Sequence, residues 1–455
     1  MRSISFNIII GLGLGTFFST EVLKYPIFSD RAYASIPIVA EPKRLPSTFA
    51  PITTNQIVEL KGQTFDKSLI LKDYDNKISS DFKVPEELHD RVSFWFDIYT
   101  KYSAQEEVIH HADYPWIVFR VVDLRPILEA KGNRWTKYHK AVAYSKAQRK
   151  EVKNTLTKLS KRKSFKNLNK AEKEIFDKLS SIPGNRKRVV KQALNSIRTQ
   201  VGQKNFIESG IESSSLYLPE LEKVFTEKNL PLELTRLPFV ESSFNVSAVS
   251  KVGASGIWQV MPYIGKRLSL FMTAAVDERN SPVKAASSAA FILKQNKQIL
   301  KNWPLALTAY NHGVGSLSKA VKKTGSRDLK YLIKNYKAKS FGFASQNFFA
   351  SFIAVLHAEK YRNLIYDNIS IQQPIQFREL KLSKTLRLSQ VIELTGLPAN
   401  EFKKYNLDIK EDAYKKNLRI PRGFVVHIPH TAVENLKGKK LNLAKLLDEA
   451  PTKSL

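Results

Sequence analysis

The sequence predicts a mainly α-helical protein, with some mixed α/β structure towards both ends. Three observations carry this. Apolar residues recur at helical spacing over long stretches of the chain. Ser-Pro, Trp-Pro and Gly signals stand where those stretches start and stop. Strand character, β-branched and aromatic, is confined to short runs: "WIVFRVV" (Trp116–Val122) and "GFVVHIP" (Gly423–Pro429).

The 455 residues exceed one ordinary core, so two or three domains are expected. Hydrophobic residues make up 43%, enough to fold. The net charge of +31 calls for an acidic partner: nucleic acid, anionic lipid or an acidic polymer. There is no cysteine, which excludes disulfides, thiol nucleophiles, zinc-thiolate sites and cysteine lipidation.

At the N-terminus, Arg2 precedes an apolar run from Ile4 to Phe18, the pattern of an export signal. Ala32-Tyr33-Ala34 is a small-x-small site, although far downstream. Residues 1–34 read as a signal peptide or an N-terminal anchor. The expected location is outside the cytoplasm, in the periplasm or cell envelope, with peripheral membrane attachment compatible with that reading. No later run is apolar for long enough to cross a bilayer.

Residues 35–84 are rich in Pro, Ser, Thr and Lys with little periodicity, and read as a linker. Residues 85–200 form an N-terminal, mostly helical basic region. In it, His89–Tyr102 is expected as an amphipathic helix and Trp116–Val122 as a strand. From Ser145 to Gln203 the chain is Lys-rich, with Val152, Leu156, Leu159, Ile175 and Leu179 at helical spacing. His110-His111 lacks a third ligand at metal spacing, so it reads as a surface loop.

Residues 201–370 are almost wholly helical. Leu218, Leu221, Val224 and Phe225 share a face, and Pro231 ends their helix. Leu234, Leu237 and Val240 belong to the next, which Pro238 should kink or interrupt. Ser281-Pro282 opens an Ala-rich helix, with Ser as N-cap and Pro at its first position. Trp303-Pro304 opens another, broken at "NHGVG" (Asn311–Gly315). In residues 371–430, Leu388–Asn406 reads as two short helices joined at Gly396, and Gly423–Pro429 as a closing strand. Residues 431–455 form a basic tail.

One stretch carries chemistry: "VESSFNVSAVSKVGASGIWQVMP" (Val240–Pro262). Glu241 is the lone carboxylate among small residues, with no Lys or Arg beside it. Phe239, Val240, Phe244, Ile257, Trp258 and Met261 are candidate apolar walls that would raise its pKa towards that of a working acid. Gly253 and Gly256 let backbone approach a ligand. Gln259 and Asn311 can recognise amides and hydroxyls, and Tyr310 adds a ring with a polar tip. Asp277 and Glu278 read as helix-entry charges before Ser281.

"ESSFN…AVSKVGASGIWQVMP" and "ALTAYNHGVG" resemble the lytic transglycosylase domain, a goose-lysozyme-like fold of cell-wall glycosidases. "LYLPELEKVFTEKNLPLELTRLPFVESSFN" and "FGFASQNFF" are similar to the membrane-bound lytic murein transglycosylase D family. The likeness is strong over Val201–Tyr366 and looser over Pro85–Thr199. The C-terminal segment resembles a degenerate LysM module, a small βααβ glycan binder.

The resemblance implies a lysozyme-like helical catalytic domain acting on peptidoglycan glycan strands. Glu241 matches the catalytic acid/base. Ser242, Ser250, Gln259, Met261, Tyr310 and Asn311 match positions that line the substrate cleft, and neither a cofactor nor a metal is implied. The implied reaction uses one carboxylate where most glycosidases use two. Glu241 protonates the oxygen joining N-acetylmuramic acid to N-acetylglucosamine. It then takes the proton from the muramoyl C6 hydroxyl as that oxygen closes onto C1, leaving a 1,6-anhydro ring. One departure stands out. Many relatives carry Glu-Thr-x-x-Tyr-Val after the Tyr-Asn element, where this chain has Ala344 and Phe348.

Two rival readings share these residues: a peptidoglycan-binding scaffold with a dead cleft, and a hydrolytic muramidase. A scaffold would not need Glu241, and a muramidase would need a second polar group to place a water. Nucleic acid is disfavoured as a partner because the sequence has no recognition motif and carries an export signal. The oligomeric state is left open.

Overall fold

The computed structural model describes residues 65–367, 369–430 and 432, together with the backbone of 447–448. The expected signal, most of the expected linker and most of the basic tail lie outside the described residues. The chain divides into two compact units. One holds the described residues up to Ser209 together with Gln295–Ile369, and the other holds Gly210–Lys294 with the described residues from Ser370 onward. The segment 201–370, read as one domain, therefore contributes to both.

The first unit begins earlier than the sequence suggests. Residues 65–84 are not linker. Helix α1 (Lys67–Leu71) is capped by Asp66, and Ile70, Leu71, Ile78 and Phe82 are buried. His357 Nδ1 meets the Ile70 carbonyl at 2.9 Å, and the Tyr361 hydroxyl donates to Asp73 at 2.7 Å. Sparse apolar residues at no fixed period hid this segment, because its anchors are spaced by turns. Helix α2 (His89–Thr100) buries most of its surface, Arg91 included, and leaves His89 and Asp90 exposed and Ser93 and Asp97 half-buried. Strands β1 (Glu106–His111) and β2 (Val118–Asp123) follow.

Helices α3 (Arg125–Leu128), α4 (Arg134–Lys161), α5 (Lys170–Lys178) and α6 (Arg186–Asn195) make up the Lys-rich region. Their apolar faces enclose a core with the sheet that includes Val152, Leu156, Leu159, Ile175 and Leu179. The helical pattern stops short of Gln203, because β3 (Ile197–Val201) completes an antiparallel sheet of order β2-β1-β3. His110 and His111 lie on the central strand, fully buried, and not in a surface loop. Burial holds both rings neutral, lowering His110 to about 3 and His111 to about 4.

Helix α7 (Lys204–Ser215) runs from the first unit into the second. Helix α8 (Leu218–Glu227) ends at a left-handed Asn229 before Pro231 is reached. A 3-10 turn (Leu232–Arg236) leads into α9 (Leu237–Ser242). Pro238 sits in the first turn of α9, where its missing N–H costs nothing, so it opens the helix instead of kinking it. After α10 (Pro262–Arg267) comes α11 (Pro282–Leu300). Ser281 Oγ caps α11 by accepting from Lys284 N at 3.3 Å. Ala285, Ala286, Ala289 and Ala290 are all buried.

Helix α12 (Trp303–His312), capped by Asn302, stops at Gly313. Helices α13 (Val314–Thr324), α14 (Leu329–Asn335), α15 (Phe343–Lys360) and α16 (Arg362–Ile365) complete the first unit. Helix α15 is buried along almost its whole length and packs against α2.

The C-terminal segment returns to the second unit. Strand β4 (Phe377–Leu382) is followed by β5 (Leu386–Arg387), α17 (Leu388–Thr395) and α18 (Ala399–Tyr405). Gly396 caps α17 in the left-handed conformation. Then come α19 (Glu411–Lys416), β6 (Arg419–Ile420), β7 (Val425–Pro429) and β8 (Leu447–Asp448). Strand β4 pairs antiparallel with β7 and, at its end, with β8, while β5 pairs with β6. This differs from βααβ in three respects: a third helix is inserted, β5 and β6 form a second sheet, and β7 is not the last strand. Among the described residues, no helix is long and apolar enough to cross a membrane.

Candidate active site

Glu241 lies near the end of α9 and is 4% exposed. Burial alone pushes its carboxyl well above the ordinary carboxylate range. The helix ends abruptly just beyond it. Ser243 and Phe244 both take positive φ, 50° and 58°, a strained pair for residues with side chains. Two features hold this turn. Gly210 of α7 approaches so closely that a Cβ there would lie 2.6 Å from the Ser243 carbonyl oxygen. The Ser213 hydroxyl donates to the Phe244 carbonyl at 3.2 Å. Phe244 is buried against Phe239, with ring centroids 5.1 Å apart.

Ser242 turns its hydroxyl towards the protein. It contacts the Pro238 carbonyl at 3.2 Å and the Ile257 carbonyl at 3.0 Å, tying α9 to the loop that follows. That loop folds on itself. Ser250 N donates to the Ala254 carbonyl at 2.8 Å, and Ser250 Oγ accepts from Ala254 N at 2.8 Å. Ser255 pairs with Val260. Gln259 has φ 46°, and its side-chain nitrogen donates to the carbonyls of Gly256 (2.8 Å) and Ala248 (3.3 Å). Met261, half-buried, stands in extended backbone at the N-cap of α10.

Glycine is required at position 256. Its φ is +74°, and a Cβ would lie 1.9 Å from the Arg279 carbonyl oxygen. Arg279 is the residue that the sequence analysis missed. It is buried, forks onto Asp277 through Nε (2.9 Å) and Nη2 (2.7 Å), and donates from Nη1 to the carbonyls of Gly253 (2.6 Å) and Val260 (3.1 Å). One guanidinium thus pins both ends of the loop. The legible signal was Asp277-x-Arg279, a spacing that permits a bidentate pair. Ser255 Oγ meets Asn280 Oδ1 at 2.6 Å. Trp258 is core: fully buried, stacked on Phe225 and donating to the Pro282 carbonyl at 2.9 Å.

The two other acids are spent on structure. Asp277 is the partner of Arg279, and Glu278 accepts from Phe271 N at 2.9 Å and faces Lys284 at 3.4 Å.

Glu241, Ser242, Ser250, Gln259 and Met261 belong to the second unit, and Tyr310 and Asn311 to the first. In the first unit, Asn311 Oδ1 accepts from the Ser345 hydroxyl at 3.3 Å, and the same hydroxyl meets His312 Nδ1 at 3.0 Å. With Ser345 donating to Asn311, His312 donates from Nδ1. Its ring is 2% exposed and burial lowers its pKa, so it is neutral at pH 7. The "FGFASQNFF" variant also has a structural use. Asn347 Oδ1 accepts from Arg91 (2.8 Å) and Trp95 (3.0 Å) of α2. Phe348 is buried, and Ala344 lies in the first turn of α15. Among the described residues, no group of three or more His, Cys, Asp or Glu could hold a metal.

Residues 222–333, which include every one of these candidate residues, match the family model of the transglycosylase SLT domain. The chain carries an SLT domain. Over 188 residues it is 26% identical to membrane-bound lytic murein transglycosylase D of Escherichia coli (strain K12), covering 40% of each chain. Over 107 residues it is 35% identical to a putative tributyltin chloride resistance protein of Alteromonas sp. (strain M-1), covering 23% of this chain and 52% of that one. The chain thus spans about half, or less, of the length of these curated relatives. Among solved structures it is similar to the 70 kDa soluble lytic transglycosylase of Escherichia coli. That likeness covers 64% of this chain and 55% of the other, at 14% identity and a TM-score of 0.28. The SLT domain draws residues 222–294 from the second unit and 295–333 from the first.

Proposed function

We propose that the protein is a peptidoglycan lytic transglycosylase, and that Glu241 is its acid and then its base. The observation that carries this is a buried carboxyl, its acid form favoured by burial, at the end of α9 in an SLT domain. A neutral Glu241 has a proton to give to the glycosidic oxygen between N-acetylmuramic acid and N-acetylglucosamine. The C1–O bond breaks and the N-acetylglucosamine side leaves with that proton on its 4-hydroxyl. The carboxylate so formed takes the proton of the muramoyl C6 hydroxyl as O6 bonds to C1. Glu241 ends protonated, no water is consumed, and the product is a 1,6-anhydromuramoyl end.

The engagement of Asp277 with Arg279, and of Glu278 with Lys284, supports a single working carboxylate in this unit. We assign Gln259, Met261, Tyr310 and Asn311 to binding the sugars and their N-acetyl groups. Ser242 and Ser250 act by shaping the backbone around Glu241, since their hydroxyls face carbonyl and amide groups of the chain. The segment after Phe377 is assigned to glycan binding, and the protein to the cell envelope.

The test is Glu241→Gln. The amide keeps the shape and cannot donate and reclaim a proton, so turnover of purified sacculi should fall by at least about 10³-fold, with sacculus binding retained. Retained turnover would remove Glu241 from the chemistry.

A further inference from the structure

We propose that the outward stripe of α4 is an electrostatic docking surface for an anionic phospholipid bilayer. The inference stands on α4 itself and needs no assumption about the reaction.

From Arg125 to Asn195 there are 21 Lys and Arg against five Asp and Glu, a large share of the chain's excess positive charge. Helix α4 alone, Arg134–Lys161, has nine basic residues and one acid, Glu151, which is paired with Arg120. The face with Ala141, Ser145, Val152, Leu156 and Leu159 is buried. On the other side, Trp135, His139, Lys146, Lys150, Lys153 and Lys161 are exposed, at helical spacings that put them on one stripe. Among the described residues, none of these four lysines has an ion-pair partner. At 1.5 Å per residue the stripe runs for about 40 Å.

The geometry selects the partner. A ridge along one 28-residue helix can meet a plane along its length, whereas a single polymer strand is tracked by a groove. At one end of the stripe Trp135 is 58% exposed, its ring held edge-on against His139 with centroids 4.3 Å apart. An exposed tryptophan beside lysines is the chemistry of the headgroup layer, where an indole ring is both apolar and polar. Lysines near an anionic leaflet each add to binding, and salt weakens them.

The experiment is cosedimentation of the full chain with vesicles of phosphatidylcholine, with and without phosphatidylglycerol. The wild type should bind more tightly as the anionic fraction rises, and lose that gain in high salt. Lys146→Gln/Lys150→Gln/Lys153→Gln/Lys161→Gln should lose about 100-fold or more of the phosphatidylglycerol-dependent affinity. The same four positions changed to Arg should keep it. Binding to charge-free vesicles, which reports the apolar N-terminal run, should be equal in all three proteins. All four sites are exposed, so the variants should melt with the wild type. Equal binding of the Gln variant to anionic vesicles would overturn the proposal. So would a deficit of that variant on purified sacculi with none on vesicles, because the stripe would then serve the wall polymer.

Discussion

At the scale of single residues, Glu241 as the proposed acid has to be neutral to give its proton away, and burial favours that form. The same burial costs stability. In the unfolded chain the group titrates near the usual glutamate value of about 4.3, and in the folded chain it titrates higher. As pH climbs between the two, the unfolded state releases a proton that the folded state still holds, so stability falls. Glutamine cannot titrate. Glu241→Gln should therefore be more stable than the wild type at pH 7 by about 0.5–2 kcal/mol. The difference should shrink to nothing near pH 4, as thermal melts across that range would show. No gain at pH 7 would mean that the carboxyl is not held protonated. The sequence made this residue legible because one acid among Ser, Ala and Gly, with no cation adjacent, is unusual in a chain this basic. Close to it in sequence, Phe239 and Phe244 pack together at a strained turn, and no sequence period encodes that turn.

At the scale of elements, the loop from Ser250 to Met261 is fastened from behind. Arg279 pins its backbone, and the next helix, α11, brings Lys284 to a cluster made by the C-terminal segment. Lys284 Nζ meets Asp408 at 2.6 Å and Glu278 at 3.4 Å, and lies 3.9 Å from the Phe424 ring centroid. Removing the cation leaves two buried carboxylates without it. Lys284→Ala should cost about 3–5 kcal/mol, the usual result of breaking a buried pair on one side. Thermal or denaturant unfolding measures this, and a loss under 1 kcal/mol would show the cluster to be dispensable. Elements with strong local signals were readable in advance: Ser281-Pro282 starts α11 and Gly396 ends α17. Where tertiary burial governs, the reading failed. His110-His111 looks like loop and is a central strand, because a β-sheet can bury two neutral imidazoles that no local pattern announces.

At the scale of the whole molecule, residues distant in sequence complete one another. Ala275 and Val276 share a core with Leu382, Leu388, Val391, Phe402, Ile420 and Val426. Asp277 N donates to the Asp408 carbonyl at 2.7 Å, and Lys410 N to the Ala275 carbonyl at 2.9 Å. Read from the sequence, the segment after Phe377 is a detachable module, and its removal should leave cleavage of soluble glycans intact. The shared core changes that expectation. Truncation at Phe377 should expose Ala275 and Val276, loosen the Asp277–Arg279 pair behind the loop, and lower activity on soluble strands along with the melting temperature. A truncated protein with full activity and an unchanged melt would show that the segment is independent after all. Helical content was legible from periodicity. The interleaving of the chain between two units was not, since no local signal marks which distant segments meet.

In the proposed reaction one carboxylate, Glu241, closes an anhydro ring without water. The most direct measurement is mass spectrometry of the muropeptides that the protein releases from purified sacculi in water enriched in heavy oxygen. Ends of 1,6-anhydromuramic acid, lighter than a reducing end by one water and carrying no heavy oxygen, are the predicted result. Reducing ends that have taken up heavy oxygen would mean hydrolysis, and would contradict the two-step role assigned to Glu241.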